Sequence, residues 1–177
     1  MIVVLMGVTA SGKSTIGTLL AERAGAVFAD ADDYHPVANK EKMAAGHPLN
    51  DDDRQPWLEV LNHLMRDWFA AGKSGVLACS ALKAKYRETL ASSMPVGTVH
   101  FVLLDGSPEM IAKRLAARQH EYMNPNLLAS QLNTLEKPSE EEAFRVINDC
   151  APNVVVDKIL AHVAVSKGIE SAPNTAS

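Results

Sequence analysis

The run Gly7-Val8-Thr9-Ala10-Ser11-Gly12-Lys13-Ser14 satisfies G-x-x-x-x-G-K-[ST] at each fixed position. It constrains the fold more than any other feature, because the motif works only as a turn between a strand and a helix. The flanks supply both. An apolar run, Ile2-Val3-Val4-Leu5-Met6, leads in, and a helical pattern over residues 14–24 leads out. Glycines at 7 and 12 permit backbone angles that let successive N–H groups turn toward phosphate oxygens. Lys13 reaches the β- and γ-phosphates, Ser14 offers a hydroxyl to Mg²⁺, and the new helix points its positive end at the anion. Gly7, Thr9, Ala10, Ser11, Gly12, Lys13, Ser14 and Thr15 are therefore the candidate nucleotide-binding residues.

Downstream, short apolar runs alternate with helical patterns. Residues 26–29, 75–79, 99–104 and 144–147 read as further strands. Helices are predicted over 37–45, from Pro56 to Gly72, over 83–91, from Pro108 with Ser107 as N-cap, over 126–135, and over 152–165. Val154-Val155-Val156 favours a strand by β-branching, yet Val155, Ile159, Leu160 and Val163 share a helix face. The alternation with short connections predicts an α/β fold, a parallel sheet with helices on both faces. Ligands of such a sheet sit at the carboxyl ends of its strands. That gathers residues 7–14, 30–33 and 79–83 around one crevice. Residues 34–55, rich in breakers, read as a substrate-binding insertion, 118–125 as a lid, and 167–177 as a flexible tail after a single domain over 1–166.

Composition enters mainly by exclusion. A formal charge of −4 over 177 residues argues against a general nucleic-acid binder, which needs a basic excess. No apolar run approaches the ~18 residues of a membrane span. Cys79 and Cys150 lack metal-ligand spacing, and with no export signal the expected location is the cytoplasm.

Phosphoryl transfer requires a metal-bound triphosphate, a group to deprotonate the acceptor, and cations to offset spreading charge. Asp30 and Asp32 follow the second strand; if the chain stays extended, both carboxylates face one side. Asp30 is assigned to the metal and Asp32 to the base, with capping of the next segment as the alternative for Asp32. Asp51, Asp52 and Asp53 read as the acidic first turn of the Trp57 helix. Arg114 and Arg118, four apart at the edge of a breaker segment, suit a closing lid; the alternative is a solvated helix face. Lys83, Arg87 and Arg54 are cations near the crevice of an acidic protein, which suggests an anionic acceptor, a carboxylate that Arg can grip. Lys85 is left to solvent, Trp57 and Trp68 to the core, and Cys79 to the core as a small apolar residue.

These residues resemble the gluconate kinases, small P-loop enzymes. Besides the loop, the resemblance rests on Asp30-Ala31-Asp32-Asp33-Tyr34-His35-Pro36, Asn39 with Lys42-Met43, Pro48-Leu49-Asn50-Asp51-Asp52-Asp53-Arg54-Gln55-Pro56-Trp57-Leu58, Ala78-Cys79-Ser80-Ala81-Leu82-Lys83, and Ser130-Gln131 with Leu135-Glu136. It implies a nucleoside-monophosphate-kinase-like fold, ATP and Mg²⁺, transfer to the 6-hydroxyl of D-gluconate, and a homodimer. It also implies Arg114 beside the adenine, Arg118 on the phosphates, and His35, Asn39, Lys42, Arg54, Lys83 and Arg87 around the sugar acid. Two positions depart from the family pattern: Ala31 replaces a glycine, and His120-Glu121-Tyr122 replaces a Gly-His-aromatic run. Two other readings stay open, a kinase for another hydroxylated acid such as shikimate, and a nucleotide-dependent switch without transfer activity.

Overall fold

The computed structural model describes residues 1–117 and 125–170. Five strands form one sheet: β1 (Ile2–Met6), β2 (Val27–Asp30), β3 (Gly75–Ala78), β4 (Val99–Asp105) and β5 (Phe144–Ile147), in the order β2-β3-β1-β4-β5. Every pairing is parallel. All carboxyl ends therefore share one side.

β1 is central, and all five of its residues are inaccessible to solvent. Side chains alternate across a strand, so Ile2, Val4 and Met6 enter one core layer while Val3 and Leu5 enter the other. That explains why the strand reads as an unbroken apolar run rather than an alternating one. α1 (Lys13–Ala24) and α7 (Pro152–Glu170) cover one face. α3 (Asp51–Ala70) and α4 (Ala84–Ala91) cover the other. The valine triplet of residues 154–156 is helical, with Val155 and Val156 fully buried; tertiary burial overrides local β preference.

α2 (Val37–Ala44), α5 (Pro108–Ala116) and α6 (Pro125–Thr134) complete the α-helices. Ser107 caps α5 by accepting from the Met110 N–H, as its sequence predicts. α6 supplies Leu128 to a small third cluster with Val8, Ala10, Leu82 and Ile111, which packs against the phosphate loop.

α3 starts earlier than Pro56, with Asp51, Asp52 and Asp53 as its acidic first turn, as the sequence predicts. It begins at Asp51, and Pro56 lies in its second turn. A capping box decides this: Asn50 Oδ1 accepts from the Asp53 N–H at 2.8 Å, and Asp53 Oδ2 accepts from the Asn50 N–H at 2.7 Å. Reciprocal satisfaction of two orphan donors, with three acidic residues at the positive helix end, outweighs one proline's missing donor. α7 extends past the predicted end to Glu170, so residues 167–170 of the predicted tail are helical, and the rest of it, residues 171–177, lies outside the described residues. Among the described residues no helix is long and apolar enough to cross a membrane.

Candidate active site

The phosphate loop leaves β1 at Gly7 and enters α1 at Lys13. Gly7 has φ 143° and Gly12 φ 97°, angles that penalise any side chain. Space is closed as well. A Cβ on Gly7 would stand 2.8 Å from the Leu104 carbonyl oxygen, and one on Gly12 would stand 2.5 Å from Asn148 Nδ2. Lys13 Nζ donates to the Gly7 and Val8 carbonyls, each at 3.0 Å, so the lysine folds back over the first half of the loop. Ser11 Oγ is buried and has no hydrogen-bond partner among the described residues. A cradle that no Cβ could share, lined by an unsatisfied buried hydroxyl, suits a phosphate chain.

Two carboxylates flank this loop. Ser14 Oγ donates to Asp30 Oδ2 at 2.7 Å, which ties the predicted metal hydroxyl to the predicted metal carboxylate across sixteen residues. The backbone after Asp30 is not extended: Ala31–Tyr34 forms a 3₁₀ turn. Asp30 caps that turn, its Oδ1 accepting from the Asp32 N–H at 3.2 Å. The two aspartates are thus brought together by an Asx-type cap rather than by strand alternation. Ala31, the replaced glycine, keeps a negative φ and is buried, so the substitution fits. Its carbonyl accepts from Trp57 Nε1 at 2.8 Å, which anchors the turn on α3.

The Asp32 side chain is 88% exposed. Desolvation by the nearby protein, then the charges of Asp30 and Asp33, raise its pKa above the usual carboxylate value, against the pull of Lys13 and His35. His35 Nε2 stands 3.9 Å from Asp32 Oδ1. The imidazole is stacked on Trp57, centroids 4.2 Å apart, and its buried Nδ1 has no partner among the described residues. Burial lowers the pKa of His35; Asp32 opposes the shift, and Arg54 and Lys40 add to it. The shift favours the neutral imidazole, whose Nδ1 is buried and unpaired among the described residues while Nε2 faces Asp32.

The predicted cations divide into groups. Asn39 Nδ2 donates to the Asp53 carbonyl at 2.8 Å and Lys42 Nζ to Asp53 Oδ2 at 2.5 Å, so both tie α2 to the start of α3. Lys42, followed by the Asn50 N–H, holds the Asp53 carboxyl below its ordinary pKa. Arg54 Nη1 donates to the Leu49 carbonyl at 2.6 Å. Arg87 is buried, its Nη1 donating to the Ala81 and Glu136 carbonyls at 3.3 and 3.1 Å; in this arrangement it holds the turn after β3, where Ala81 has φ 43°. Lys83 Nζ donates to both oxygens of Asp51, at 2.9 and 3.0 Å. Lys85, expected in solvent, also donates to Asp51, at 2.6 Å. Cys79 is fully buried, and burial pushes its thiol up to about 12, which leaves it a core residue. Arg118 and the His120-Glu121-Tyr122 departure lie outside the described residues.

Two contacts to the loop were not anticipated. Asn148, buried just after β5, donates from Nδ2 to the Ser11 carbonyl at 2.8 Å, and its own carbonyl accepts from Arg114 Nη2 at 2.6 Å. Arg114 thereby reaches the loop through Asn148. Gln131 Oε1 accepts from the Thr9 N–H at 2.6 Å, which joins α6 to the loop. Replacing Asn148 by alanine would leave the buried Ser11 carbonyl without this donor. Expected are a loss of about 1–3 kcal/mol in stability by denaturant unfolding, and weaker nucleotide binding by calorimetry.

Comparison with known proteins supplies a context for this geometry. A family model described as "AAA domain" matches residues 2–138. The chain is 45% identical over 180 residues to a protein described as "Probable gluconokinase" from Xenopus tropicalis, covering 92% of this chain and 93% of that one. The crystal structure of a gluconokinase from Sinorhizobium meliloti 1021 superposes with a TM-score of 0.83 at 38% identity, covering 96% and 97% of the two chains. Shikimate kinase from Aquifex aeolicus superposes with a TM-score of 0.60 at 19% identity, covering 97% and 100%, a likeness of fold.

Proposed function

Because the chain belongs to the gluconokinase family, small kinases of the P-loop fold, we propose that it transfers the terminal phosphoryl group of ATP to the 6-hydroxyl of D-gluconate, giving 6-phospho-D-gluconate and ADP. The observation that carries this reading is the contact of Ser14 with Asp30 beside Asp32. It joins the phosphate loop after β1 to a pair of carboxylates at the end of β2, on the far side of β3 in the sheet.

In this reading the N–H groups of Ala10 and of residues 12–15 hold the phosphates, those of Thr9 and Ser11 being given to Gln131 and Val8, and Arg114 lies on the adenine side, beyond β4. Ser14 and Asp30 would hold Mg²⁺, a cation that takes few protein oxygens and leaves its other positions to water and phosphate. When bound, it would offset charge on the phosphate oxygens. Asp32 accepts the proton of the acceptor hydroxyl. Its raised pKa makes it a better base than an ordinary carboxylate. His35 offers its Nε2 edge, beside Asp32, to a neighbouring hydroxyl of the acceptor. Arg54 and Lys83 face the acid end, while Asn39, Lys42 and Arg87 hold the walls in which it sits. Arg118 is assigned to the transferring phosphate from the family resemblance. The same resemblance extends the reading to a homodimer, which a molar mass in solution of twice the chain checks.

A panel of hydroxylated acids in a coupled ADP-release assay tests the assignment. Release that depends on D-gluconate, and is at least ~100-fold less efficient with shikimate, is the expected result; a site built to pair a substrate's polar groups rejects one that misplaces them. Slow ADP release indifferent to any acceptor would identify a switch instead.

A further inference from the structure

α3 and α4 begin beside each other, and their first turns bring together a group of charges that the roles above do not exhaust. Asp51, at the first position of α3, accepts from Lys83, from Lys85 and from the hydroxyl of Tyr86. Arg54 Cζ lies 5.9 Å from the centre of the Tyr86 ring, with Lys83 Nζ at 5.7 Å and Lys85 Nζ at 5.9 Å. Three cations therefore surround one ring, and two of them, Lys83 and Lys85, share one carboxylate. Neighbouring carboxylates do not cancel the surplus: Asp53 pairs with Lys42, and Glu136 turns its carboxylate to the Ala84 N–H at 2.7 Å.

Donor capacity points the same way. An ammonium has three N–H donors and no acceptor. Lys85 gives one to Asp51, and Lys83 spans both Asp51 oxygens, so each retains capacity for a second anion. Tyr86 has a single O–H, and Asp51 takes it. Asp51 and Tyr86 thus act as a fixed post that holds two ammonium groups in place. The post stands at the acceptor end of the crevice: Lys83 follows the carboxyl end of β3, which pairs with β2, and Trp57, one turn after Arg54 on α3, stacks on His35 and donates to the Ala31 carbonyl beside Asp32.

We propose that this cluster is the carboxylate subsite of the acceptor: Lys83 and Lys85 bind the acid group with their remaining N–H donors, Arg54 closes the third side, and Asp51 with Tyr86 positions the lysines. The inference rests on the sugar-acid reading and sharpens it, since Lys85 becomes a specificity-determining residue. A polyol chain bound here runs from the cluster to Asp32, where its far hydroxyl reacts.

The test compares D-gluconate with D-glucitol, in which a hydroxymethyl group replaces the carboxylate. Both are titrated calorimetrically into the full-length wild type, Lys85→Met and Tyr86→Phe. Lys85→Met should raise the Kd for gluconate about tenfold or more, as expected for loss of a charge-assisted hydrogen bond. The Kd for glucitol should move less than about twofold, or stay too weak to measure in both proteins, and the KM for ATP should not change. Tyr86→Phe, which acts through Asp51, should weaken gluconate a few-fold with the same selectivity. An unchanged gluconate Kd in Lys85→Met overturns the subsite, and so does equal weakening of both ligands, which marks a structural role. Failure of the wild type to phosphorylate gluconate, with turnover of a different hydroxy acid, would overturn the gluconate reading alone. The same variants measured with that acid would still decide the subsite.

Discussion

Lys13→Ala should lower kcat for gluconate phosphorylation by about two orders of magnitude or more, equivalent to ~3 kcal/mol of transition-state stabilisation. The lysine has two jobs, and both end with the substitution. Its charge offsets negative charge that spreads over the transferring group. Its Nζ also bonds the Gly7 and Val8 carbonyls, so it sets the shape of the loop whose N–H groups hold the phosphates. Coupled ADP release gives kcat, and thermal unfolding shows whether the fold persists. A folded Lys13→Ala protein with near-normal turnover would sink the phosphotransferase assignment.

Asp32→Asn is expected to separate chemistry from binding. The amide has nearly the shape of the carboxylate but cannot take a proton from the acceptor, so kcat should fall by about 10²–10⁴-fold. Nucleotide affinity should stay within about twofold, because Ser14 and Asp30 keep their contact. Stability should move in the opposite direction to activity. A carboxyl whose pKa is raised in the fold is disfavoured in its charged form, so its cost is absent below the unfolded pKa and grows as pH rises through the folded value. At neutral pH the asparagine removes that cost, and the melting temperature should hold or rise. In the wild type the acid limb of kcat/KM should lie above the ordinary carboxylate range. Full turnover in the variant would make Asp32 a structural cap.

Much of the fold was legible in the sequence because its determinants are local. β1, α1 and the loop between them are contiguous, and their pattern contains the whole strand-turn-helix unit. Ser107 before Pro108 marked the start of α5 for the same reason. Pro56 misled as a helix start because a proline preference is weaker than the capping box of Asn50 and Asp53. Asp30 and Asp32 were the right pair for a different geometry, since the extended backbone assumed for them gives way to a 3₁₀ turn capped by Asp30 itself. Nothing next to Lys85 in sequence points to its partner Asp51, which lies 34 residues away. Asn148 and Gln131 touch the loop across 137 and 122 residues. Neither carries a local signature beyond its position after a strand or on a helix.

By itself the sequence determined that a phosphate chain binds after β1, that acidic residues wait at the end of β2, and that cations cluster after β3. Those are properties of short segments, fixed by backbone propensity and by the chemistry of the residues present. The tertiary structure decided which charge meets which. Arg87 went to backbone carbonyls under the turn after β3, and Lys42 went to Asp53. Lys83 and Lys85 were set on Asp51. Electrostatic partnership depends on separations of a few ångströms between segments far apart in the chain, and only the packed sheet and its two helical layers set those separations.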